Sequence, residues 1–301
     1  MDTGEVRSSR GGSMQFFMSV HRNSPPARCV TMHDPVDTLV NERPILPKPA
    51  SFLTRKLVGH RGVNAEDGRW LDTILQRNQR SVEPGSALVE LGAPHSEIHV
   101  IVGGWAMRRK KMRDGSNQIV ALHLPGEICE FNAVLGMVSD TETVAIDRVR
   151  AAAISARTLN ELSTHPRLGR ALWWESMASG AIQRQWFANV ASANAATRMA
   201  HLLCELEQRL HLVGGSQAHG EGRVFTCPLT QMHLGNATAM SVEHANRTLA
   251  QLRRQFGLRA KGGLIEIDDL AGLQAFCGFD PGYIVLDAKS HAPSIMHGVA
   301  R

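Results

Sequence analysis

Glu243 and Arg247 stand four residues apart in the C-terminal third of the chain. On a helix, side chains at i and i+4 share one face. A guanidinium on such a face can donate two hydrogen bonds to guanine O6 and N7, and a carboxylate can accept from cytosine N4–H; each good contact discriminates by about 1–3 kcal/mol. The same two residues could instead form an exposed ion pair, worth about 0.2–0.5 kcal/mol. Their surroundings suit an anionic partner. From Ser241 to Lys261, Arg247, Arg253, Arg254, Arg259 and Lys261 are basic and Glu243 alone is acidic, so the exposed side fits a polyanion.

The segment that must position these residues, Pro228 to Ile267, reads as two short helices, a tight turn and a small hairpin. Thr230 can accept the orphan N–H groups that open a first helix, which carries Leu234 and Ala237 toward a core. Ser241 starts a second helix. There Ala245, Leu249 and Leu252 recur at i, i+4 and i+7 and form one apolar stripe. Gly262-Gly263 then supply the two φ > 0 positions of a hairpin turn between Leu258–Lys261 and Leu264–Ile267. The layout is that of a winged helix-turn-helix.

Leu229-Thr230-Gln231, Gly235-Asn236, Ser241-Val242-Glu243-His244, Asn246-Arg247-Thr248-Leu249 and Leu252-Arg253-Arg254 together resemble the DNA-binding domain of the Crp/Fnr transcription regulators. The upstream run Ala195 to Leu203 resembles the helix that precedes the reader in that family. One residue departs from the pattern: Ala239 stands in the turn where the family usually has Gly, and Ala in a left-handed turn costs roughly 1 kcal/mol against Gly. The resemblance implies base reading by Glu243, Asn246 and Arg247, and phosphate contacts from Thr230, Gln231, Ser241 and Lys261. It also implies a homodimer whose two reading helices sit one DNA turn, about 34 Å, apart on a two-fold symmetric site.

The rest of the chain fits such a regulator. At 301 residues, two domains are expected. A net charge of +5 permits nucleic-acid binding without requiring it. Cys29, Cys129, Cys204, Cys227 and Cys277 include no close pair in sequence, which indicates neither a disulfide framework nor a zinc site and suits a reducing cytoplasm. No apolar run approaches the length of a membrane span.

Residues 1–50, rich in Ser, Pro, Gly and Arg, read as a disordered arm. Residues 51–165 combine a helical start with short β-rich runs, Ile98–Val102, Trp105–Met107 and Gln118–Leu122, punctuated by turns such as Asp114-Gly115. They predict a small antiparallel, jelly-roll-like β-roll, and the string from Gly103-Gly104-Trp105 to Leu124-Pro125-Gly126-Glu127 resembles the cyclic-nucleotide-binding-like effector domain of the same family. Pro166 opens a mostly helical stretch that breaks in two. Its first part, residues 166–191, is apolar on more than one side, a pattern shared by a helix simply buried on two sides and by the dimerisation helix that the resemblance implies. In its second part Met199, Leu203, Leu206 and Leu210 form a stripe. Residues 192–284 complete the DNA-binding domain and 285–301 a flexible tail. The fold class is α+β, and the resemblance spans roughly residues 52–284.

The signal is not given. Family members that bind a cyclic nucleotide use a Gly-Glu pair for the ribose and an Arg-Ser pair for the phosphate. Here those positions read Cys129-Glu130-Phe131-Asn132 and Asp140-Thr141-Glu142-Thr143, and no Lys or Arg occurs from Asp114 to Asp147. A desolvated phosphate beside unpaired carboxylates is repelled, which argues against cyclic AMP. Cys29 stands alone near the N-terminus, against an iron–sulfur cluster. Haem would draw on His95, His99, His123 or Cys129, and isolated histidines are more often surface or core residues. An effector pocket, if present, would involve Glu127, Cys129 and Glu130. Cys129 reads either as an oxidation switch or as a small buried hydrophobe. Arg108 to Arg113 form a basic hairpin tip, solvated or in contact with DNA flanks or RNA polymerase. Two alternatives stay open: a β-roll interaction or sensing module whose reader no longer binds DNA, and an enzyme with dispersed catalytic residues, since no nucleotide-loop, zinc-protease or nucleophile-elbow motif is present.

Overall fold

The computed structural model describes residues 51–286, His95 excepted. The expected arm 1–50 and nearly all of the expected tail lie outside the described residues, as does Cys29. All described residues fall within one compact unit.

Two capped helices lead in. Ser51 Oγ accepts from Thr54 N to start α1 (Phe52–His60), and Asn64 Oδ1 accepts from Asp67 N to start α2 (Ala65–Arg77). The roll follows as β1 (Gln79–Val82), β2 (Ala87–Val89), β3 (Glu97–Gly103), β4 (Ala106–Lys111), β5 (Asn117–His123), β6 (Glu142–Ala145) and β7 (Val149–Ser155). They form two antiparallel sheets, ordered β1-β7-β3 and β2-β6-β4-β5. Leu53, Leu57, Leu71 and Leu75 of the leading helices pack on Ile98, Val100, Ala152 and Ile154. The expected strands are present with one adjustment: Trp105 precedes β4, because its N–H donates to the Asp147 carboxylate (2.6 Å) instead of joining the ladder.

After α3 (Ala156–Thr164), the helical stretch breaks where expected, into α4 (Pro166–Ser192) and α5 (Ala195–Leu212). Pro166 occupies the first turn of α4, and Asn194 Oδ1 caps α5 by accepting from Thr197 N. One face of α4 buries Leu168, Ala171, Leu172, Ala178 and Ala181. The other face leaves Trp173 (68%), Met177 (54%) and Phe187 (77%) exposed. Met199, Leu203, Leu206 and Leu210 of α5 are all buried in an apolar core that the reading domain shares with Trp105, Ile119, Leu122 and Leu124 of the roll.

That domain continues with β8 (Ser216–His219), β9 (Gly222–Thr226), α6 (Gln231–Ala237), α7 (Val242–Phe256), β10 (Arg259–Lys261), β11 (Leu264–Ile267), α8 (Leu270–Cys277) and the short α9 (Gly282–Val285). The sheet order is β10-β11-β9-β8, so the predicted wing hairpin gains a second hairpin that the sequence pattern did not announce. The cysteines, scattered in sequence, do include one spatial pair: Cys204 of α5 and Cys277 of α8 lie 4.0 Å apart, sulfur to sulfur.

Helices α6 and α7 cross at Gly235. A Cβ added there would lie 3.0 Å from the Met240 carbonyl and 3.3 Å from the Ala245 methyl, so the close crossing depends on a missing side chain. Thr238 ends α6 by donating its hydroxyl to the Leu234 carbonyl (2.6 Å). The chain then turns through Ala239 at φ 53, the left-handed conformation expected of the family's Gly. Ala239 is exposed, so the Cβ costs backbone strain without any packing return. Ala239→Gly is therefore expected to raise stability by up to about 1 kcal/mol, seen as a higher denaturant midpoint at unchanged slope; a lower midpoint would contradict this account of the turn.

Candidate nucleic-acid interface

The reading helices are fixed by their own caps. Thr230 Oγ1 accepts from His233 N (3.2 Å) while His233 Nδ1 accepts from Thr230 N (3.3 Å), a reciprocal box that closes the start of α6. Ser241 Oγ accepts from His244 N (3.2 Å) at the start of α7. Ala245, Thr248, Leu249, Leu252 and Phe256 then bury one side of α7. That burial fixes what the helix can present. Glu243 and Arg247 are exposed on the opposite side, with Asn246 half-buried beside them.

Glu243 and Arg247 do not pair. The i, i+4 ion pairs found among the described residues are Arg157–Glu161 and Arg209–Glu205, and both α7 side chains remain unengaged. The buried Asn246 Oδ1 has no hydrogen-bond partner either. Thr230, Gln231, Ser241 and Lys261 are exposed around this face, at the starts of α6 and α7 and at the tip of the wing. Of the basic residues counted from the sequence, Arg253 and Arg254 are exposed. Arg259 is committed to the wing itself, through Glu266 (2.8 Å) and Asp268 (2.6 Å).

The three residues named for an effector pocket lie close together and each has its own surroundings. Glu127 accepts two hydrogen bonds from Arg209 of α5, at 2.9 and 2.6 Å. Cys129 is fully buried among Val89, Ile101 and Val149, and burial pushes its thiol up to about 12. That environment is the small-hydrophobe alternative. Glu130 accepts from Ser139 Oγ (3.0 Å) and faces Arg108 (3.6 Å), whose guanidinium also donates to the Cys129 carbonyl.

The unpaired carboxylates inferred from the Arg-free stretch are therefore paired, by cations from elsewhere in the chain. Arg109 meets Glu142 (2.7 Å) and Lys110 meets Asp140 (2.8 Å) in the same way. The segments expected to hold ribose and phosphate in a nucleotide-binding member carry Glu130 and Glu142, and Arg108 and Arg109 beside them are engaged with those carboxylates. Of the proposed haem ligands, His99 and His123 are buried, and His95 lies outside the described residues.

Residues 197–276 match the Crp-like helix-turn-helix domain and residues 79–165 the cyclic nucleotide-binding domain. The chain belongs to the Crp/Fnr family of transcription regulators. It is 24% identical to an anaerobic regulatory protein of Haemophilus influenzae over 74% of this chain and 85% of the relative. It is 26% identical to the transcriptional activator protein FnrA of Stutzerimonas stutzeri over 72% and 86%. Among solved structures, FixK2 of Bradyrhizobium japonicum superposes with a TM-score of 0.57 at 20% identity, covering 66% of this chain and 96% of that one.

Sequence reading missed the residue that joins the two halves of this Crp/Fnr regulator. Arg209 is almost fully buried. Besides its two bonds to Glu127 it donates to the Leu122 carbonyl (2.5 Å) of the roll and to Glu205 (2.9 Å) one turn back on α5. Glu205 also accepts from the Trp186 indole of α4 (2.9 Å) and the Tyr283 hydroxyl of α9 (2.8 Å). Arg209 had no distinguishing local pattern, being one basic residue in the last turn of an amphipathic helix. A second tie lies on α6: Asn236 Oδ1 accepts from Ile119 N (2.5 Å), its Nδ2 donates to the Asn117 carbonyl (2.7 Å), and Gln118 donates to its backbone carbonyl (2.6 Å).

Burial alone would push the Glu127 carboxyl up, but the Arg209 charge and hydrogen bonds outweigh it and hold Glu127 at about 2. The unfolded chain, with an ordinary value near 4.5, then binds the extra proton between those limits. The contribution is complete above about 4.5 and is lost as pH falls through about 2. His123 acts in the same sense: burial, with Arg108 nearby, lowers it to about 3, so the fold keeps it neutral while the unfolded chain protonates below 6.5. The denaturant midpoint should fall as pH drops from about 7 toward 4. Glu127→Gln should cost about 1.5–3 kcal/mol near neutrality by taking one of the two charge-assisted partners from Arg209, which keeps Glu205, and remove the carboxylate part of that pH dependence. Unchanged stability of the variant at neutral pH would refute the tie.

Proposed function

We propose that this regulator binds a two-fold symmetric DNA site as a homodimer, reading base edges with Glu243, Asn246 and Arg247 of α7 and holding phosphates with Thr230, Gln231, Ser241 and Lys261. The observation that carries this reading is the unengaged, exposed Glu243–Arg247 face on a helix whose opposite side is wholly buried. A carboxylate and a guanidinium that could pair but do not are hydrogen-bonding groups left for a partner. The reading assigns the cytoplasm as the compartment and RNA polymerase as a further partner, and it includes no catalytic role. The division is a roll (51–165), a dimerisation helix (166–191) and a reader (192–284).

Dimerisation through α4 rests on the spacing of its outer face. Trp173, Met177, Gly180, Arg184, Phe187 and Ala191 follow one another at alternating steps of four and three, the seam of a two-stranded coiled coil. Exposed Trp, Met and Phe on one line favour a second copy of the same helix. Met177→Glu with Phe187→Glu should shift sedimentation to the monomer and lower affinity for a two-half-site duplex, while a single half-site is bound as before. A variant that stays dimeric would overturn α4 as the seam.

Arg247→Ala should erase the preference for one base pair per half-site, a loss of about 1–3 kcal/mol each, and leave weaker, salt-sensitive nonspecific binding. The comparison is a selection of random duplexes by the unaltered protein, followed by titration of single-base variants of the selected site. Full retention of the base preference at every position would sink the assignment.

A further inference from the structure

We propose that the β4–β5 hairpin of the roll is a second DNA-backbone contact, with Lys111 and Arg113 reaching phosphates that flank the site read by α7. This rests on the reading of α6 and α7 as the DNA reader. The hairpin carries the run Arg108-Arg109-Lys110-Lys111-Met112-Arg113. Three of its five cations are consumed inside the roll, Arg108 by Glu130, Arg109 by Glu142 and Lys110 by Asp140. Lys111 and Arg113, at the tip, are exposed and form no ion pair with any described residue. The carboxylate of the turn, Asp114, is folded back to accept from Ser116 N (2.9 Å) and Ser116 Oγ (2.6 Å).

What distinguishes this tip from an ordinary solvated charge run is where it is held. Lys111 lies opposite Asn117 in the β4–β5 ladder. The Asn117 carbonyl is the group that Asn236 of α6 grips, and the two further hydrogen bonds of that clamp fix the strand against the helix. Met107, Arg109 and Asn117 of the hairpin line one groove with Met232, His233 and Asn236 of α6. Helix α6 is seven residues long, about 10 Å at 1.5 Å per residue. Thr230 and Gln231, at its start, are thus within about one short helix length of the clamp. A duplex carries one negative charge per about 1.7 Å of its axis, so DNA lying across the start of α6 brings backbone phosphates into the range of the two free cations.

The test is a salt titration of duplex binding by the full-length protein, between 50 and 200 mM. It uses a short duplex that just covers the selected site and a longer one with flanks on both sides. Lys111→Ala with Arg113→Ala should lower the slope of log affinity against log salt by about 1.8 per protomer on the long duplex. The order of preference among base substitutions should stay the same, and the short duplex should be bound as by the unaltered protein. Lys111→Arg with Arg113→Lys should retain the original slope. An unchanged slope in the alanine variant overturns the hairpin contact alone, and leaves the tip as a solvated run or a protein-binding surface. Absence of any salt-dependent duplex binding by the unaltered protein sinks the reader assignment and the hairpin contact together.

Discussion

One buried guanidinium sets the relation between the two halves of the molecule. Arg209 projects from the reading domain into the roll, and its charge in a dry interior requires matched acceptors. It finds them on both sides: Glu127 and the Leu122 carbonyl belong to the roll, Glu205 to its own helix. Glu205 is itself fully buried, a position that raises its proton affinity, and it is offset by donors from α4 and α9 as well as by Arg209. Four parts of the chain with no covalent reason to stay in register are therefore held to one balance of charge.

Such a tie contributes less to stability than its short distances suggest, because each buried bond replaces one to water. Its larger effect is on geometry. Arg209 fixes the end of α5, and the Asn236 clamp fixes α6 at a separate point on β5. Two well-separated ties restrain rotation as well as translation, and with the apolar core shared by the roll, α5 and α7 they set the orientation of α7. Any rearrangement of the reader has to carry both ties along or break them, and breaking the first strands a charge.

The reader was legible in the sequence because its signals are local. Thr230 and Ser241 cap within three residues, the α7 stripe repeats within a dozen, and Gly262-Gly263 turn the wing. The two-faced character of α4 was legible for the same reason. What escaped is long-range or lacks a pattern. Ser216–His219 is a polar edge strand with mostly exposed side chains, so no alternation marks β8. Cys204 and Cys277 meet across 73 residues. The acidic stretch from Asp114 to Asp147 looked uncompensated because its cations come from Arg108, Arg109 and Lys110 on β4 and from Arg209, 82 residues beyond Glu127. Ala239 was legible as a departure, and its positive φ shows that tertiary packing imposes the turn despite the residue.

The roll has the topology of a nucleotide receptor and an interior whose charges are already settled. Arg108 serves Glu130 and the Cys129 carbonyl, while Arg109 serves Glu142. A phosphate entering beside Glu130 would have to compete with that carboxylate for Arg108, the more buried of the two guanidiniums, whereas Arg109 lies in the groove shared with α6. The same cross-links brace β4, the strand whose far end is the hairpin held by Asn236. The roll therefore meets the reader at two polar contacts, at α6 through the Asn236 clamp and at α5 through Glu127 and Arg209. The pairs of Arg108 and Arg109 thus tie β4 to Glu130 and to β6, and β4 runs on into the hairpin held by Asn236.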